Sequence, residues 1–232
     1  MRLRPYTMVL PKPLIPIGDQ PILEHIMWRL ADAGIRRIDL CLGRHLGGLI
    51  HTYFTQATTL PEGLEIGYHW EQEPLGTAGA LSQVHDLDGP FIVMNGDILT
   101  TLDFRELLMA HATNDAVLTI AMRREKVEIE LGVIESNNGH ITDYNEKPSM
   151  TYDASMGIYV YEPRALSHLP FGACQFPDLV LRLLEAGERV APFHSDAVWF
   201  DIGTRGEYER ALMEVTRRPE LVAPYAAAGA TA

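Results

Sequence analysis

The run Phe91-Ile92-Val93-Met94, closed by Asn95-Gly96-Asp97, decides the fold of this 232-residue chain. Four consecutive apolar residues ending in a turn-forming Asn-Gly pair read as a short strand buried on both faces, which is how strands of a covered α/β sheet look. The flanking sequence agrees. Upstream, Pro21 to Gly34 reads as a helix, with Ile22, Ile26, Leu30 and Ala33 on one face, Pro21 suited to a first turn and Gly34 to the stop. Ile38 to Leu42 then reads as a strand, Leu49 to Thr55 as helical, Leu64 to His69 as a strand and Ala78 to Val84 as helical again. Strands alternating with helices imply crossover connections and a mainly parallel sheet covered on both faces. Asp97 follows its strand directly and so lies at a carboxyl end, where open α/β sheets bind ligands. A carboxylate there serves a metal, or else caps the following turn.

The second half carries a different rhythm. After a helix at Phe104 to His111, strands at Ala116 to Met122, Gly132 to Glu135, His140 to Tyr144 and Gly157 to Tyr161 are joined by turn chemistry such as Ser136-Asn137-Asn138-Gly139. This half is expected to be more antiparallel and to wall a pocket for the second substrate. A helix at Pro177 to Ala186, a strand near Val190 to His194 and a helix from Gly206 to about Arg217 close the reading, which gives one domain over 1–217 with halves at 1–112 and 113–217. Residues 218–232 end in a small-residue tail expected to fray.

Hydrophobic residues make up 47% and charged residues 22%, an ordinary globular balance, and the formal net charge is -12. Such a field repels nucleic acid and anionic membrane, so a bound polyphosphate has to rely on local cations, backbone amides or metal. The two cysteines, Cys41 and Cys174, stand far apart without a metal or disulfide pattern and read as buried thiols. No run approaches the roughly 18 apolar residues of a membrane span, and the expected location is the cytoplasm. The nine histidines show no metal-ligand spacing, and His85 and His111 read as partly exposed helix residues.

Leu10-Pro11-Lys12-Pro13-Leu14-Ile15-Pro16-Ile17-Gly18 places one lysine between two prolines. Because proline fixes its own φ and restrains its predecessor, the lysine is presented on a stiff extended strut, ready for an anion such as phosphate. A proline-rich surface turn is the plainer reading of the same letters.

Together with that segment, Arg2-Leu3-Arg4-Pro5 with Thr7, Glu73-Pro74-Leu75-Gly76-Thr77-Ala78-Gly79, Asn95-Gly96-Asp97, Glu146-Lys147-Pro148 and Trp199-Phe200-Asp201-Ile202-Gly203-Thr204 occur in a fixed order. In these motifs the chain resembles the nucleoside-triphosphate:sugar-1-phosphate nucleotidyltransferases, or nucleotide-sugar pyrophosphorylases, over residues 2 to about 212. Its look is nearest to members that act on mannose 1-phosphate as guanylyltransferases. The resemblance implies a Rossmann-like, mainly parallel mixed α/β sheet flanked by helices, the glycosyltransferase-A-like nucleotidyltransferase fold, with a small antiparallel substrate-binding subregion. It implies an NTP and a sugar-1-phosphate as substrates, Mg²⁺ as cofactor and neither nucleic acid nor membrane as partner, while a homo-oligomer stays open.

Residue by residue, Asp97 and Asp201 match the metal carboxylates. Arg2 matches the arginine that supports the departing pyrophosphate, and Lys12 the lysine that contacts phosphate from the other side. Glu71, Gly76 and Thr77 match positions near the nucleobase, although a turn followed by a helix N-cap at Thr77 explains those letters too. Glu146 and Lys147 match the pair that holds a sugar hydroxyl and the sugar phosphate, with Gly132 and Gly157 allowing close approach. Ser155 stands where many members carry asparagine, which leaves the sugar open.

Members of that family open with a buried strand and a Gly-Gly-x-Gly-Thr-Arg loop ahead of the segment that begins here at Leu3. The given sequence has Met1 where the loop's threonine stands. The expectation is therefore a sheet lacking a central strand and a polypeptide of low activity. A nucleotide-sugar-binding regulatory homologue is the alternative. A catalytic domain without an appended acyltransferase or β-helix region is also expected.

Overall fold

The apolar strands and amphipathic helices assemble as a mixed α/β sheet with helices on both sides, in a computed structural model that describes residues 3–4, 6–56 and 60–222. Arg2 and the segment 223–232 lie outside the described residues. A short hairpin, β1 (Pro16–Ile17) and β2 (Gln20–Pro21), leads into α1 (Ile22–Asp32), which starts one residue after the expected proline. Gly34 (φ 98°) ends this helix as its sequence suggested. Strand β3 (Arg37–Gly43), helix α2 (Gly47–Gln56) and strand β4 (Glu65–Glu71) form one parallel unit, with Cys41 opposite His69 in register. A single helical turn, α3 (Gly76–Gly79), replaces the longer helix expected at 78–84 and gives way to a 3-10 turn at Ala80–Gln83.

Next come β5 (Phe91–Met94), β6 (Ile98–Thr100) and α4 (Phe104–Asn114). The Asp103 carboxylate accepts from the amides of Arg105 and Glu106 and so caps α4. Strand β7 (Leu118–Glu128), the hairpin β8 (Val133–Asn137) and β9 (His140–Asn145), and the long β10 (Ser149–Tyr161) follow, then α5 (Phe176–Glu185), β11 (Val190–His194), β12 (Trp199–Asp201) and α6 (Arg205–Arg217). The main sheet runs β11-β7-β10-β5, parallel between β11 and β7 and antiparallel on both sides of β10. Strand β10 begins eight residues before the expected Gly157, because residues 149–155 pair with the extended end of β7 before a register shift between Ser155 and Tyr159.

Two apolar clusters hold these layers together. One joins α1 through Ile22, Ile26 and Met27 to Ile98, Leu99 and Leu107 and also takes in Ile202 and Ala211, so both halves of the chain contribute to it. Leu221 is fully buried there, and packing thus continues past residue 217. The other cluster packs Leu179 and Leu183 of α5 against Val117, Leu118 and Tyr161.

Along β5, Ile92 and Met94 face the first cluster while Phe91 and Val93 face the second, the period-two alternation of a strand with both faces covered. The sheet is interrupted beside this strand. Among the described residues β5 pairs only with β10, and β3 only with β4. A cavity of about 520 Å³ separates β3 from β5.

Three side chains depart from the sequence reading. His85 is exposed and lies beyond the 3-10 turn at Ala80–Gln83, on no helix, because Val84 is extended and ends the turn. Cys41 is only partly buried, on β3. Burial, with the Glu71 and Asp39 carboxylates nearby, pushes its thiol up to about 11, so it is a poor nucleophile at neutral pH. His111 is 2% exposed rather than partly exposed, with Nδ1 hydrogen-bonded to Thr119 Oγ1 at 2.8 Å and Nε2 to Glu162 Oε1 at 3.3 Å. Truncating it strands a buried hydroxyl and opens a void. His111→Ala is therefore expected to cost about 2 to 3 kcal/mol, read as a lower urea midpoint at unchanged m-value.

Candidate active site

Lys12 does not sit on an extended strut. It opens a 3-10 turn, Lys12–Leu14, closed by bonds from Leu14 N to Pro11 O and from Ile15 N to Lys12 O, both 2.9 Å. Buried Leu14 and Ile15 anchor the turn, so the lysine is still presented from a fixed backbone. Its Nζ donates to Asp97 Oδ2 at 2.9 Å, with Lys12 34% and Asp97 18% exposed. The following proline packs over Gly96: a Cβ there would lie 3.2 Å from Pro13 Cγ, so the close approach of the two loops depends on that glycine.

Asp201 reaches the same place through pairing of two three-residue strands. In the antiparallel β6–β12 pair Asp201 lies opposite Ile98, one residue after Asp97, and the Ile202 amide donates to the Asp97 carbonyl at 3.0 Å. A Cβ on Gly203 would stand 3.5 Å from Asp201 Oδ1 and 3.9 Å from Lys12 Nζ, which places the ammonium and both carboxylates around one point. Partial burial pushes the Asp201 carboxyl up, the Asp97 charge adds to this, Lys12 opposes it and Glu207 adds a smaller push. Two carboxylates held together against repulsion form a pair that a divalent cation relieves. No group of three or more His, Cys, Asp or Glu suited to holding a metal occurs among the described residues. Asp97 and Asp201 nevertheless fit Mg²⁺, which keeps several waters and takes its remaining oxygens from substrate phosphates.

The turn that carries Gly76 and Thr77 is fastened from two sides. Glu71 Oε2 accepts from the Leu75 amide at 2.9 Å, which holds the turn's entry. On the other side Cys174 O accepts from the amides of Ala78 and Gly79, each at 3.0 Å, and Cys174 N donates to Leu75 O at 2.8 Å. Thr77 does not cap its own short helix. Its hydroxyl accepts from Phe176 N at 2.8 Å and donates to Gln175 Oε1 at 3.2 Å, so it braces the start of α5.

Gly157, in the irregular stretch of β10, has φ 68°, and a Cβ there would lie 2.7 Å from Asn95 Nδ2. Its carbonyl accepts from Asn95 N at 3.1 Å, and its amide donates to Ser155 Oγ at 3.2 Å. Ser155 and Gly157 are thereby tied to the loop that bears Asp97. Glu146 and Lys147 lie apart from it, after the β8–β9 hairpin. Tyr144 OH donates to Glu146 Oε2 at 2.9 Å, Lys147 Nζ is 3.8 Å from Glu130 Oε2, and a Cβ on Gly132 would overlap the Tyr144 hydroxyl. No hydrogen bond or ion pair joins this group to Lys12, Asp97 or Asp201 among the described residues.

Three contributors escaped the sequence reading. Gln175 holds Thr77 from 98 residues away, Trp199 donates through Nε1 to Met156 O at 2.8 Å beside Gly157, and the Arg123 guanidinium lies 5.5 Å over the Trp199 ring. Only Trp199 stood inside a motif, and nothing local marks the other two.

Comparison with known proteins matches residues 1–218 to the family model described as nucleotidyl transferase. The chain belongs to the nucleotidyl transferase family. Among relatives of this family, it is 29% identical over 240 residues to a UTP--glucose-1-phosphate uridylyltransferase of Synechocystis, which covers 94% of the chain and 61% of the relative. It is 31% identical to a Yarrowia lipolytica mannose-1-phosphate guanyltransferase, covering 87% of the chain and 57% of the relative. The chain thus spans about three-fifths of the length of these two. It is also 30% identical to a D-glycero-alpha-D-manno-heptose 1-phosphate guanylyltransferase of Aneurinibacillus thermoaerophilus, covering 92% of the chain and 93% of the relative. Among solved structures, HddC of Yersinia pseudotuberculosis, also solved with GMP-PN, superposes with a TM-score of 0.67 in that complex, 25% identity and coverage of 88% and 90%. Membership of the nucleotidyl transferase family agrees with the mixed, helix-flanked sheet and with the resemblance read from the motifs.

Proposed function

We propose that the chain transfers a nucleotidyl group from an NTP to a sugar-1-phosphate, giving an NDP-sugar and pyrophosphate. The convergence of Lys12, Asp97 and Asp201 carries this reading, because it puts one fixed ammonium and a strained carboxylate pair at a strand's carboxyl end. In the reaction a sugar-phosphate oxygen attacks the α-phosphorus in line, the bond to the α,β-bridging oxygen breaks, and pyrophosphate leaves. Both partners are anions, so positioning and charge neutralisation supply most of the catalysis. Mg²⁺, held by Asp97 and Asp201, supplies charge neutralisation on the phosphates when bound. Lys12 sheds its bond to Asp97 and takes up phosphate, and Arg2 supports the departing pyrophosphate.

Gly76 and Thr77 receive the nucleobase on a turn braced by Glu71 and Gln175. Glu146 and Lys147 hold a sugar hydroxyl and the sugar phosphate, with Gly132, Ser155 and Gly157 alongside. GTP and a hexose or heptose 1-phosphate are the substrate pair, in keeping with the names of the guanylyltransferase relatives, and the reaction runs in the cytoplasm.

Pyrophosphate release from a panel of NTPs and sugar-1-phosphates tests the proposal. Release that requires Mg²⁺ and is fastest with GTP is expected. Nucleotide-sugar binding without release from any pair overturns it in favour of a regulatory binder. Gln175 acts through Thr77 and is a positioning residue. Gln175→Ala is expected to raise KM for the NTP roughly five- to tenfold with kcat held within about twofold.

A further inference from the structure

The irregular stretch of β10 sets Met156, Gly157 and Ile158 opposite Ala121 alone, because Ser155 pairs with Met122 and Tyr159 with Ile120. Such a bulge takes backbone groups out of the ladder, and buried ones need partners elsewhere. Gly157 O accepts from the Asn95 amide and Gly157 N donates to Ser155 Oγ, the first a main-chain bond and the second a local one. Met156 O accepts from the Trp199 indole N–H at 2.8 Å, a bond that lasts only while the indole keeps one rotamer. Met156 stands between Ser155 and Gly157, so the indole bond bears on both residues proposed for the sugar side.

Arg123 supports that indole. On β7 it shares a face with Ala121, the residue opposite the bulge, and its guanidinium carbon stands 5.5 Å over the Trp199 ring. The Arg123 Nε is buried 2.7 Å from Glu125 Oε1 but lacks hydrogen-bond geometry. The ring face is therefore a partner in its own right, and a cation over an aromatic face is held most strongly where water is excluded. Asp201 does not need this contact. Trp199, Phe200 and Asp201 are registered against Thr100, Leu99 and Ile98, and Ile202 N donates to Asp97 O, so the carboxylate pair has its own backbone support.

We infer that Arg123 is a positioning residue for the sugar-1-phosphate: through the Trp199 ring it fixes the Met156 carbonyl, and with it the bulge that carries Ser155 and Gly157. The substrate named here rests on the proposed function, whereas the clasp of Arg123, Trp199 and Met156 does not depend on it. Loss of the cation frees the indole, lets the bulge shift, and weakens the acceptor side while the nucleotide turn and the carboxylate pair keep their own fastenings.

The test uses the full chain. Arg123→Met keeps the aliphatic stem and removes the cation, and is expected to raise KM for the sugar-1-phosphate roughly five- to tenfold, with kcat and KM for the NTP held within about twofold. In the same variant the Trp199 indole N–H, identified in the NMR spectrum by its absence from Trp199→Phe, is expected to exchange with solvent at least about tenfold faster. Glu125→Gln removes the ion pair alone and is expected to change neither quantity. Combining Arg123→Met with Trp199→Phe is expected to cost no more than Trp199→Phe by itself, because the two act through one bond. An unchanged indole exchange rate in Arg123→Met overturns the inference whatever the kinetics, and so does Glu125→Gln matching Arg123→Met. A fall in kcat or a rise in KM for the NTP without any change in KM for the sugar-1-phosphate overturns it too. Faster indole exchange in a protein whose parent releases no pyrophosphate from any substrate pair upholds the clasp and overturns the proposed reaction, and with it the substrate assigned to Arg123.

Discussion

Asp201→Asn is expected to cut turnover by about three orders of magnitude and, at neutral pH without metal, to raise the melting temperature. The two effects have one cause. The folded state holds the Asp201 carboxyl above its ordinary value of 3.8, first through burial and then through the neighbouring Asp97 charge, so ionisation of Asp201 opposes folding. A group raised in this way destabilises the native state above its folded pKa. The penalty fades as the pH falls through that pKa toward 3.8. Asparagine keeps the shape and removes the charge, and it leaves the backbone bond from Gly203 N to the residue 201 carbonyl in place. The stabilising effect of the substitution is thus largest near pH 7 and vanishes at acid pH. Mg²⁺ is expected to raise the melting temperature of the parent and not that of the variant, because only the parent offers a carboxylate pair. Loss of one negative charge from the carboxylate pair that would hold Mg²⁺ is expected to cost about three orders of magnitude in kcat. A variant that melts lower than the parent at pH 7, or that retains the parent's turnover, removes Asp201 from the role given to it.

The position of one carboxylate of the candidate site was legible because it follows a strand end. The four-residue run of β5 announced its own carboxyl end, and Asp97 followed it directly. The pairing that brings Asp201 to Asp97 was not legible. Strands β6 and β12 have three residues each, too short for periodicity, and their register depends on buried Ile98 and Leu99 and on the bond from Ile202 N to Asp97 O. Thr77 illustrates the opposite error. Its letters fitted an N-cap of the helix that follows it, but its hydroxyl accepts from Phe176, and a partner 99 residues away leaves no local trace. Lys12 shows a weaker lesson about proline. The residue before Pro13 was expected to be extended, and instead the bonds closing the turn at Leu14 and Ile15, with both side chains buried, outweigh that preference.

Gly76→Ala is expected to be the most destabilising single-methyl change in the turn that carries Gly76 and Thr77. Gly76 has φ 78°, where a Cβ costs about 1 to 2 kcal/mol on backbone grounds alone. The added carbon would also lie 2.6 Å from Cys174 O and 3.0 Å from Cys174 C, both main-chain atoms. That carbonyl cannot yield cheaply, because it accepts from Ala78 and Gly79 while the Cys174 amide donates to Leu75. Relief therefore means opening the clamp between the turn and the start of α5, which also frees Thr77 from Gln175. A loss of about 3 kcal/mol is expected, with weakened NTP binding in whatever fraction remains folded. Gly63 separates the two contributions. Its φ of 72° is similar, but nothing lies within 4 Å of its would-be Cβ, so Gly63→Ala reports the backbone cost alone. The difference between the two urea midpoints, at matched m-values, measures the clamp. Equal losses for the two alanine variants would mean that the 174–176 segment gives way freely and does not hold the turn.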